Sequence, residues 1–268
     1  MDETRSILTQ SVVVTAAAIL AIAGIFGAYY WYDHQGAPQA VPAPAAPAPE
    51  AATPPQVQAE PQPTLVIDDR DSDHVTPLDG SDGKVLEALG NIGGWSAATL
   101  HLLLTKDLVR HLVATVDALP REKLPSQAVP LRPVGGGFSV TTHGATSVIA
   151  AGNAHRYDPY VKAASALDMR GLAGVYRHFY PQFQQAYREL GYPKGNFNER
   201  LVEVIDELLD APEPAMPPEV TAPGVMYRFV DAELEALPAG QKMLVRIGPA
   251  NEGIIKSLLR QFRQAVVG

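Results

Sequence analysis

The stretch LAGVYRHFYPQFQQAYRELGYPKGNFNERLVEVIDELL, Leu172–Leu209, decides the fold of this chain. Its first half carries large apolar residues with a period near 3.6, the spacing that places side chains on one face of an α-helix. These residues are Leu172, Val175, Tyr176, Phe179, Phe183, Tyr187 and Leu190. We expect Asp168 to cap the helix, Pro181 to kink it and Gly191 to end it. The pattern therefore predicts one long, kinked, amphipathic helix.

The second half of the stretch predicts another helix. Asn196 and Glu199 have the spacing of a capping box, with Asn in the place of the usual Ser or Thr. An apolar face follows, formed by Leu201, Val202, Val204, Ile205, Leu208 and Leu209. Pro212 closes this helix because proline has no backbone N–H to donate to the preceding turn.

Further helices and one hairpin are predicted on either side of this stretch. Helical spacing and terminators place helices at Val85–Leu89, at Ala97–Leu104, from Thr105 to before Pro120, from Asp158 to Leu167, and in a final pair whose last member begins at Gly248–Pro249. Two alternating, β-branched segments, Phe138–Thr142 and Thr146–Ala150, flank a turn at His143–Gly144 and predict a hairpin. A proline-rich connection, Pro212–Pro223, carries no strand signal. We therefore expect a mainly α fold, with a single helical domain over 76–268 that contains one small β-hairpin.

The N-terminal segment 1–35 has the pattern of a membrane anchor. Ser11–Tyr32 holds 22 residues without a charged side chain and ends in an aromatic cluster. At about 1.5 Å per residue such a helix spans about 33 Å, which is enough to cross the hydrocarbon core of a bilayer. A cleaved signal peptide is the alternative. Arg5 precedes the segment and no Lys or Arg follows it before Arg70, so the positive-inside rule places the N-terminus in the cytoplasm and the C-terminal domain in the periplasm.

Residues 36–75 read as a disordered tether. Gly36–Pro63 carries nine prolines among Ala, Gln and Glu, a composition that favours extended polyproline II backbone. Nine acidic residues face two basic ones before Thr76, while the remainder has 20 acidic and 19 basic residues. The predicted domain is therefore nearly neutral. Because binding to nucleic acid depends on a basic excess, we expect no nucleic-acid partner.

Motifs for catalysis are missing from the sequence. There is no cysteine, and no pair of histidines has the spacing of a metal site. No Gly-x-Ser-x-Gly elbow for a serine nucleophile occurs either. We therefore expect no catalytic residue, no metal and no cofactor. The alternative is a cell-wall glycan or peptide hydrolase that uses paired carboxylates from Asp158, Glu199 or Asp206.

The candidate binding residues are tyrosines and the polar residues between them. Six of the seven tyrosines outside the anchor lie between Tyr157 and Tyr192. Tyrosine and arginine offer flat apolar faces with hydrogen-bonding tips, which suit sugars, peptides and protein partners. The candidate ligand- or partner-binding residues are Arg156, Tyr157, Asp158, Tyr160, Arg177, Asn196, Asn198 and Arg200. The alternative is that the tyrosines fill the core and that Arg156, Asp158 and Arg200 form internal pairs.

Four motifs together resemble one bacterial family. They are RYDPY at Arg156–Tyr160, FYPQFQQAYRELGYP at Phe179–Pro193, FNERLVEVIDELL at Phe197–Leu209 and YRFVDAELEALPAGQK at Tyr227–Lys242. In this order they resemble the domain of unknown function 3014 family, over roughly Thr76 to the C-terminus. The order of anchor, proline-rich tether and domain is also similar to that family, whereas Gly90–Leu104 is richer in small residues. The resemblance implies this architecture and no known activity.

We therefore expect a single-pass inner-membrane protein with a periplasmic domain. Its predicted role is that of a non-catalytic binding or scaffold module whose partner is a periplasmic protein or a cell-wall component. The hydrolase is one alternative, and a purely structural spacer is another.

Overall fold

A computed structural model describes residues 77–214, 217–222 and 226–267. The predicted anchor at 1–35 and tether at 36–75 lie outside these residues. Within the described residues, the chain forms ten α-helices and four β-strands. The helices are α1 Asp82–Gly90, α2 Ala97–His101, α3 Leu108–Ala118, α4 Asp158–Ala166, α5 Met169–His178, α6 Tyr180–Glu189, α7 Phe197–Leu209, α8 Ala232–Ala236, α9 Ala239–Ile247 and α10 Pro249–Val267. The strands are β1 Val140–His143, β2 Thr146–Ile149, β3 Glu219–Thr221 and β4 Arg228–Phe229.

The mainly helical prediction is confirmed, but the long kinked helix is wrong in one detail. The chain leaves helical geometry at Phe179, with φ −97° and ψ 12°, and forms the two separate helices α5 and α6. Pro181 stands in the first turn of α6, where a missing N–H costs nothing because that N–H has no helical partner. The predicted cap is correct, since the Asp168 carboxylate accepts a hydrogen bond from Arg170 N at 3.0 Å.

Two other helix boundaries differ from the prediction. Helix α2 ends at His101 rather than Leu104, because Leu103 pairs with Leu131 in an isolated β-bridge. Helix α3 begins at Leu108 rather than Thr105, because Asp107 has a left-handed backbone with φ 52°. That conformation interrupts a right-handed helix.

The sheet is larger than the predicted hairpin. Four antiparallel strands lie in the order β1-β2-β3-β4, and β3 falls inside the connection that carried no strand signal. Ser147 pairs with Val220, and Val220 pairs with Phe229. Strands of three and two residues are too short to show an alternating pattern, so β3 depends on pairing with β2, β4 depends on pairing with β3, and both depend on burial.

Helix α9 lies between the sheet and the helical bundle. All nine of its residues are buried. Val245 packs in a small cluster with Ile149, Val220 and Phe229 of the sheet, whereas Leu244 and Ile247 belong to the main core. The polar residues Gln241, Lys242 and Arg246 of α9 are buried as well, and each donates a hydrogen bond to a backbone carbonyl.

The main core is built around α10, which packs against α4, α5, α7 and α9. Its buried apolar residues are Ile255, Leu258, Leu259, Phe262 and Val266. Helix α3 completes the bundle by packing on α6 and α7. In the part of the chain that the structure describes, no helix is both long enough and apolar enough to cross a membrane.

Candidate functional site

Arg156 is bound to the backbone of a glycine-rich loop. Its guanidinium donates to the carbonyl oxygens of Gly135 at 3.2 Å and Gly136 at 2.8 Å, and to Asn153 Oδ1 at 3.0 Å. Asn153 in turn donates to the carbonyl of Arg246 on α9 at 3.3 Å. Arg156 therefore fastens the loop before β1 to the core, while part of its side chain stays in contact with solvent.

The next three candidate residues lie at the start of α4. Tyr157 and Tyr160 are buried, and burial raises the pKa of both phenols. Tyr160 donates a hydrogen bond to the carbonyl of Arg132 at 2.9 Å. Asp158 is half-buried and lies 3.3 Å from His155 Nδ1. Of these three side chains, Asp158 is the most accessible to a ligand.

Asn196 and Asn198 build the start of α7. Asn196 Oδ1 accepts from the backbone N–H groups of Asn198 at 2.9 Å and Glu199 at 3.2 Å, and from the hydroxyl of Tyr180 at 3.0 Å. The predicted cap is therefore confirmed. Buried Asn198 accepts a hydrogen bond from the hydroxyl of Tyr176 at 3.1 Å. Both asparagines thus connect α7 to the tyrosines of α5 and α6.

Arg177 and Arg200 lie at two further places. Exposed Arg177 donates to the carbonyl of Ala265, near the end of α10, at 3.2 Å. Arg200 donates to Glu203 Oε2 at 2.9 Å and to the backbone carbonyl of Asp117 at 3.2 Å. The contacts of the eight candidate residues therefore divide them among the loop before β1, the α5–α7 junction and the ends of α3 and α10.

Arg200 belongs to a cluster that the sequence pattern did not reveal. The Asp117 carboxylate, whose residue is 2% exposed, forms ion pairs with Arg121 and, at 3.5 Å, with Arg200. The Tyr192 hydroxyl donates to Asp117 Oδ2 at 3.3 Å, and its ring stacks on Tyr187 at 4.6 Å between centroids. We call Arg121, Tyr192 and Arg200 the Arg–Tyr surface, with Asp117 and Tyr187 supporting it from below.

Two side chains at the Arg–Tyr surface, Arg200 and Tyr187, have raised pKa values. Partial burial lowers the pKa of Arg200, but Glu203 and Asp117 outweigh this effect, so the net pKa is raised. Burial, followed by the charge of Asp117, raises the pKa of Tyr187. At neutral pH Arg200 is therefore positively charged and Tyr187 is neutral.

Sequence reasoning missed Asp117 and Arg121 because they lie outside the tyrosine-rich segment. An acid and a base four residues apart on a helix are usually a solvated pair. One signal was available: Asp117 lies four residues after buried Val113, on the same helix face. A carboxylate on a buried face needs a partner, because an unpaired buried charge is costly.

The three carboxylates of the hydrolase alternative have separate surroundings. Asp206 forms a bidentate ion pair with Arg263, at 2.5 and 2.8 Å. Glu199 lies two turns before Asp206 on the same helix, about 10 Å along its axis. Asp158 contacts His155 on another element. Across the described ranges, no group of three or more His, Cys, Asp or Glu side chains could hold a metal ion.

Comparison with known proteins gives one match. No curated protein matches the chain, and no solved structure does. The model of a family described as protein of unknown function (DUF3014) matches residues 108–263, from the start of α3 to within α10. This range contains the Arg–Tyr surface and all eight candidate residues. Because the match covers more than half of the chain, this protein belongs to the DUF3014 family.

Proposed function

We propose that this protein is a single-pass inner-membrane protein of the bacterial cell envelope, whose C-terminal domain binds another periplasmic component without catalysing a reaction. The observation that carries the binding role is the Arg–Tyr surface. There, one buried carboxylate orients two arginines beside a stacked tyrosine pair.

Two features of this surface favour recognition. Tyrosine and arginine contribute more binding energy per residue than most side chains, because they combine a large contact area with directed hydrogen bonds. Asp117 and Tyr187 already hold Arg200 and Tyr192 in one arrangement, so a ligand orders fewer side chains when it binds. Exposed Leu190, two residues before Tyr192, adds apolar area nearby in sequence.

Sequence patterns support the location. Ser11–Tyr32 has the length and composition of a membrane span, and the positive charge before it favours a periplasmic C-terminus. At about 3.1 Å per residue, the proline-rich segment would let the domain reach up to about 90 Å from the bilayer. That reach suits a partner in the periplasm or the cell wall.

Site-specific photo-crosslinking in intact cells tests the proposal. The full chain would carry Tyr192→p-benzoylphenylalanine, with Glu233→p-benzoylphenylalanine on exposed α8 as the matched control. We expect a discrete adduct, to a periplasmic protein or to cell-wall peptide, only from position 192. Adding Arg121→Ala should lower its yield about tenfold, the effect of losing one interface anchor. Equal adducts from both positions, or none from position 192, would contradict the binding role.

A further inference from the structure

The chain enters the domain beside the C-terminal end of α6. The carboxylate of Asp79, two residues after the first described position, accepts a hydrogen bond from Arg110 Nη2 at 2.7 Å. The same nitrogen donates to Oε2 of Glu189, the last residue of α6, at 3.1 Å. Because one guanidinium holds both carboxylates, the segment attached before residue 77 begins next to Leu190 and close to Tyr192.

The Arg–Tyr surface at this point combines exposed apolar groups with basic ones. Leu190 and Tyr192 are 42% and 37% exposed. The side chain of Arg121 is 55% exposed although it pairs with Asp117. A guanidinium has five N–H donors, so donors of Arg121 remain for a ligand. The surface therefore suits a ligand that is apolar in one part and acidic in another.

Two more cations lie at the edge of this surface. Gln184 of α6 donates to the carbonyl of Gly195 at 2.8 Å, which holds the loop between α6 and α7 along α6. Arg188 lies one turn after Gln184 on the same face of α6, and Lys194 lies two residues after Tyr192 in that loop. Both cations are exposed. In the described part of the chain, neither has an ion-pair partner.

The sequence shortly before residue 77 has the complementary pattern. Leu65 and Ile67 are the only Leu and Ile between residues 36 and 75. Asp68–Asp73 follows them and holds four aspartates and one arginine. We call residues 64–73 the acidic segment. Runs of like charge are often interaction segments, and this run comes directly after the bulkiest apolar side chains of the tether.

The acidic segment is long enough to reach the Arg–Tyr surface. Asp73 and Ile67 precede residue 77 by four and ten residues, which span up to about 13 Å and about 33 Å when extended at about 3.3 Å per residue. From Arg110, at the entry point, to Asp117, below the surface, α3 rises by only about 10 Å. Attachment over so short a length also gives the segment an effective concentration in about the millimolar range, so a weak contact is enough to occupy the surface.

We propose that the acidic segment binds in cis to the Arg–Tyr surface. Leu65 and Ile67 pack against Leu190 and Tyr192, and the aspartates lie beside the exposed cations. This contact leaves Gly36–Pro63 as the proposed spacer. The segment also competes with the periplasmic partner for the surface, and this competition alone rests on the proposed function.

Photo-crosslinking from the tether of the purified full chain tests the cis contact without any partner. Val66→p-benzoylphenylalanine places the probe inside the acidic segment, and Val57→p-benzoylphenylalanine, nine residues earlier, is the matched control. We expect position 66 to give a monomeric product joined to residues 186–200 or 117–124, with at least about tenfold higher yield than position 57. At 1 M salt, where the Debye length is about 3 Å, this yield should fall.

Charge substitutions in the tether test the complementarity. Asp68→Asn with Asp69→Asn should lower the yield from position 66 at least about threefold, because two ion pairs are lost and exposed pairs are individually weak. Glu50→Gln with Glu60→Gln removes the same charge outside the acidic segment and should leave the yield unchanged.

Charge substitutions on the domain give the reciprocal test. Arg188→Ser with Lys194→Ser should lower the yield from position 66 to a similar extent. Lys162→Ser with Arg170→Ser, at exposed positions of α4 and α5, should not. Since all four side chains are exposed, the melting temperature followed by circular dichroism should be the same for both variants.

Three results would overturn the cis contact. Position 66 could crosslink evenly over the domain or not at all, its yield could be insensitive to the aspartates, or its product could have the mass of two chains. The competition is tested in intact cells, where Asp68→Asn with Asp69→Asn should raise the partner adduct from position 192 about threefold. An adduct that does not rise would overturn the competition. Absence of any adduct from position 192 would contradict the proposed function, whereas position 66 of the purified chain decides the cis contact.

Discussion

The ammonium group of Lys256 lies 3.0 Å from the carboxylate of Glu252, one turn earlier on α10, and both residues are at most 3% exposed. Lys256 Nζ also donates to the carbonyl of Ala211 at 2.6 Å and to Glu213 Oε1 at 2.8 Å. The pair therefore fastens the segment after α7 to the central helix. The stability of the domain therefore depends on the buried charges of Glu252 and Lys256 on α10.

Lys256→Met should destabilise the domain by about 3–5 kcal/mol at neutral pH, because it leaves the carboxylate of Glu252 buried without its cation. The combination of Lys256→Met with Glu252→Gln should recover much of that loss. Arg260→Met, at an exposed position on the same helix, should change stability by less than about 0.5 kcal/mol. Urea unfolding of the full chain measures all three. Equal effects at positions 256 and 260 would show that the buried pair contributes nothing.

The stability of the domain should depend on pH through Glu252. Burial raises the pKa of its carboxyl above the ordinary 4.5, and Lys256 offsets this only in part. Between the two values the folded chain binds more protons than the unfolded chain, so the free energy of unfolding falls as pH rises through the raised pKa. This contribution is fully present below pH 4.5. Between pH 4.5 and neutral pH, the free energy of unfolding of the Glu252→Gln variant should therefore fall less than that of the unmodified chain. Parallel unfolding curves for the two proteins would refute the assignment.

Gly240→Ala should destabilise the contact of α9 with α7. A Cβ at this position would lie 2.5 Å from Leu208 Cδ2 and 3.3 Å from the carbonyl oxygen of Leu119. Crowding of this kind in a packed core costs about 1–3 kcal/mol. Gly253→Ala is the matched control, because Gly253 is an exposed position of α10 where an added Cβ would meet no atom within 4 Å. It should stabilise the domain by about 0.5–1 kcal/mol through helix propensity. Thermal melting measures both effects: the melting temperature should fall for Gly240→Ala and rise for Gly253→Ala.

Tyr160→Phe should lower the free energy of unfolding by about 1–3 kcal/mol, because the carbonyl of Arg132 loses its hydrogen-bond donor. Tyr192→Phe should cost less, since that side chain is partly exposed and water can replace its hydroxyl. Urea unfolding provides the comparison. If Tyr160→Phe left stability unchanged but weakened crosslinking at position 192, Tyr160 would be a binding residue rather than a structural one.

A reporter enzyme that is active only outside the cytoplasm, fused after Gly268, should be active. The nearest positive side chain to the predicted span, Arg5, precedes it and favours retention of the N-terminus in the cytoplasm. Protease added to spheroplasts should also degrade the domain. An inactive reporter on a normally expressed chain would reverse the predicted orientation.

The sequence by itself determined the helices whose signals are local. The cap at Asn196, the apolar face from Leu201 to Leu209 and the start of the last helix at Pro249 were all readable, because each depends on residues within two turns. The break at Phe179 was readable only in part: Pro181 announced an interruption, but a kinked helix and two separate helices satisfy the same pattern.

Only the tertiary structure decided the features that depend on contacts between residues far apart in the chain. Strands β3 and β4 exist because β3 pairs with β2, β4 pairs with β3, and α9 packs against Val220 and Phe229. No local pattern of two or three residues can encode these contacts. Asp117 meets Arg200 across 83 residues, so a helix pair that looks solvated in sequence becomes the base of the Arg–Tyr surface. Side-chain periodicity specifies which face of an element is apolar, but the partner of that face is set by packing the whole chain.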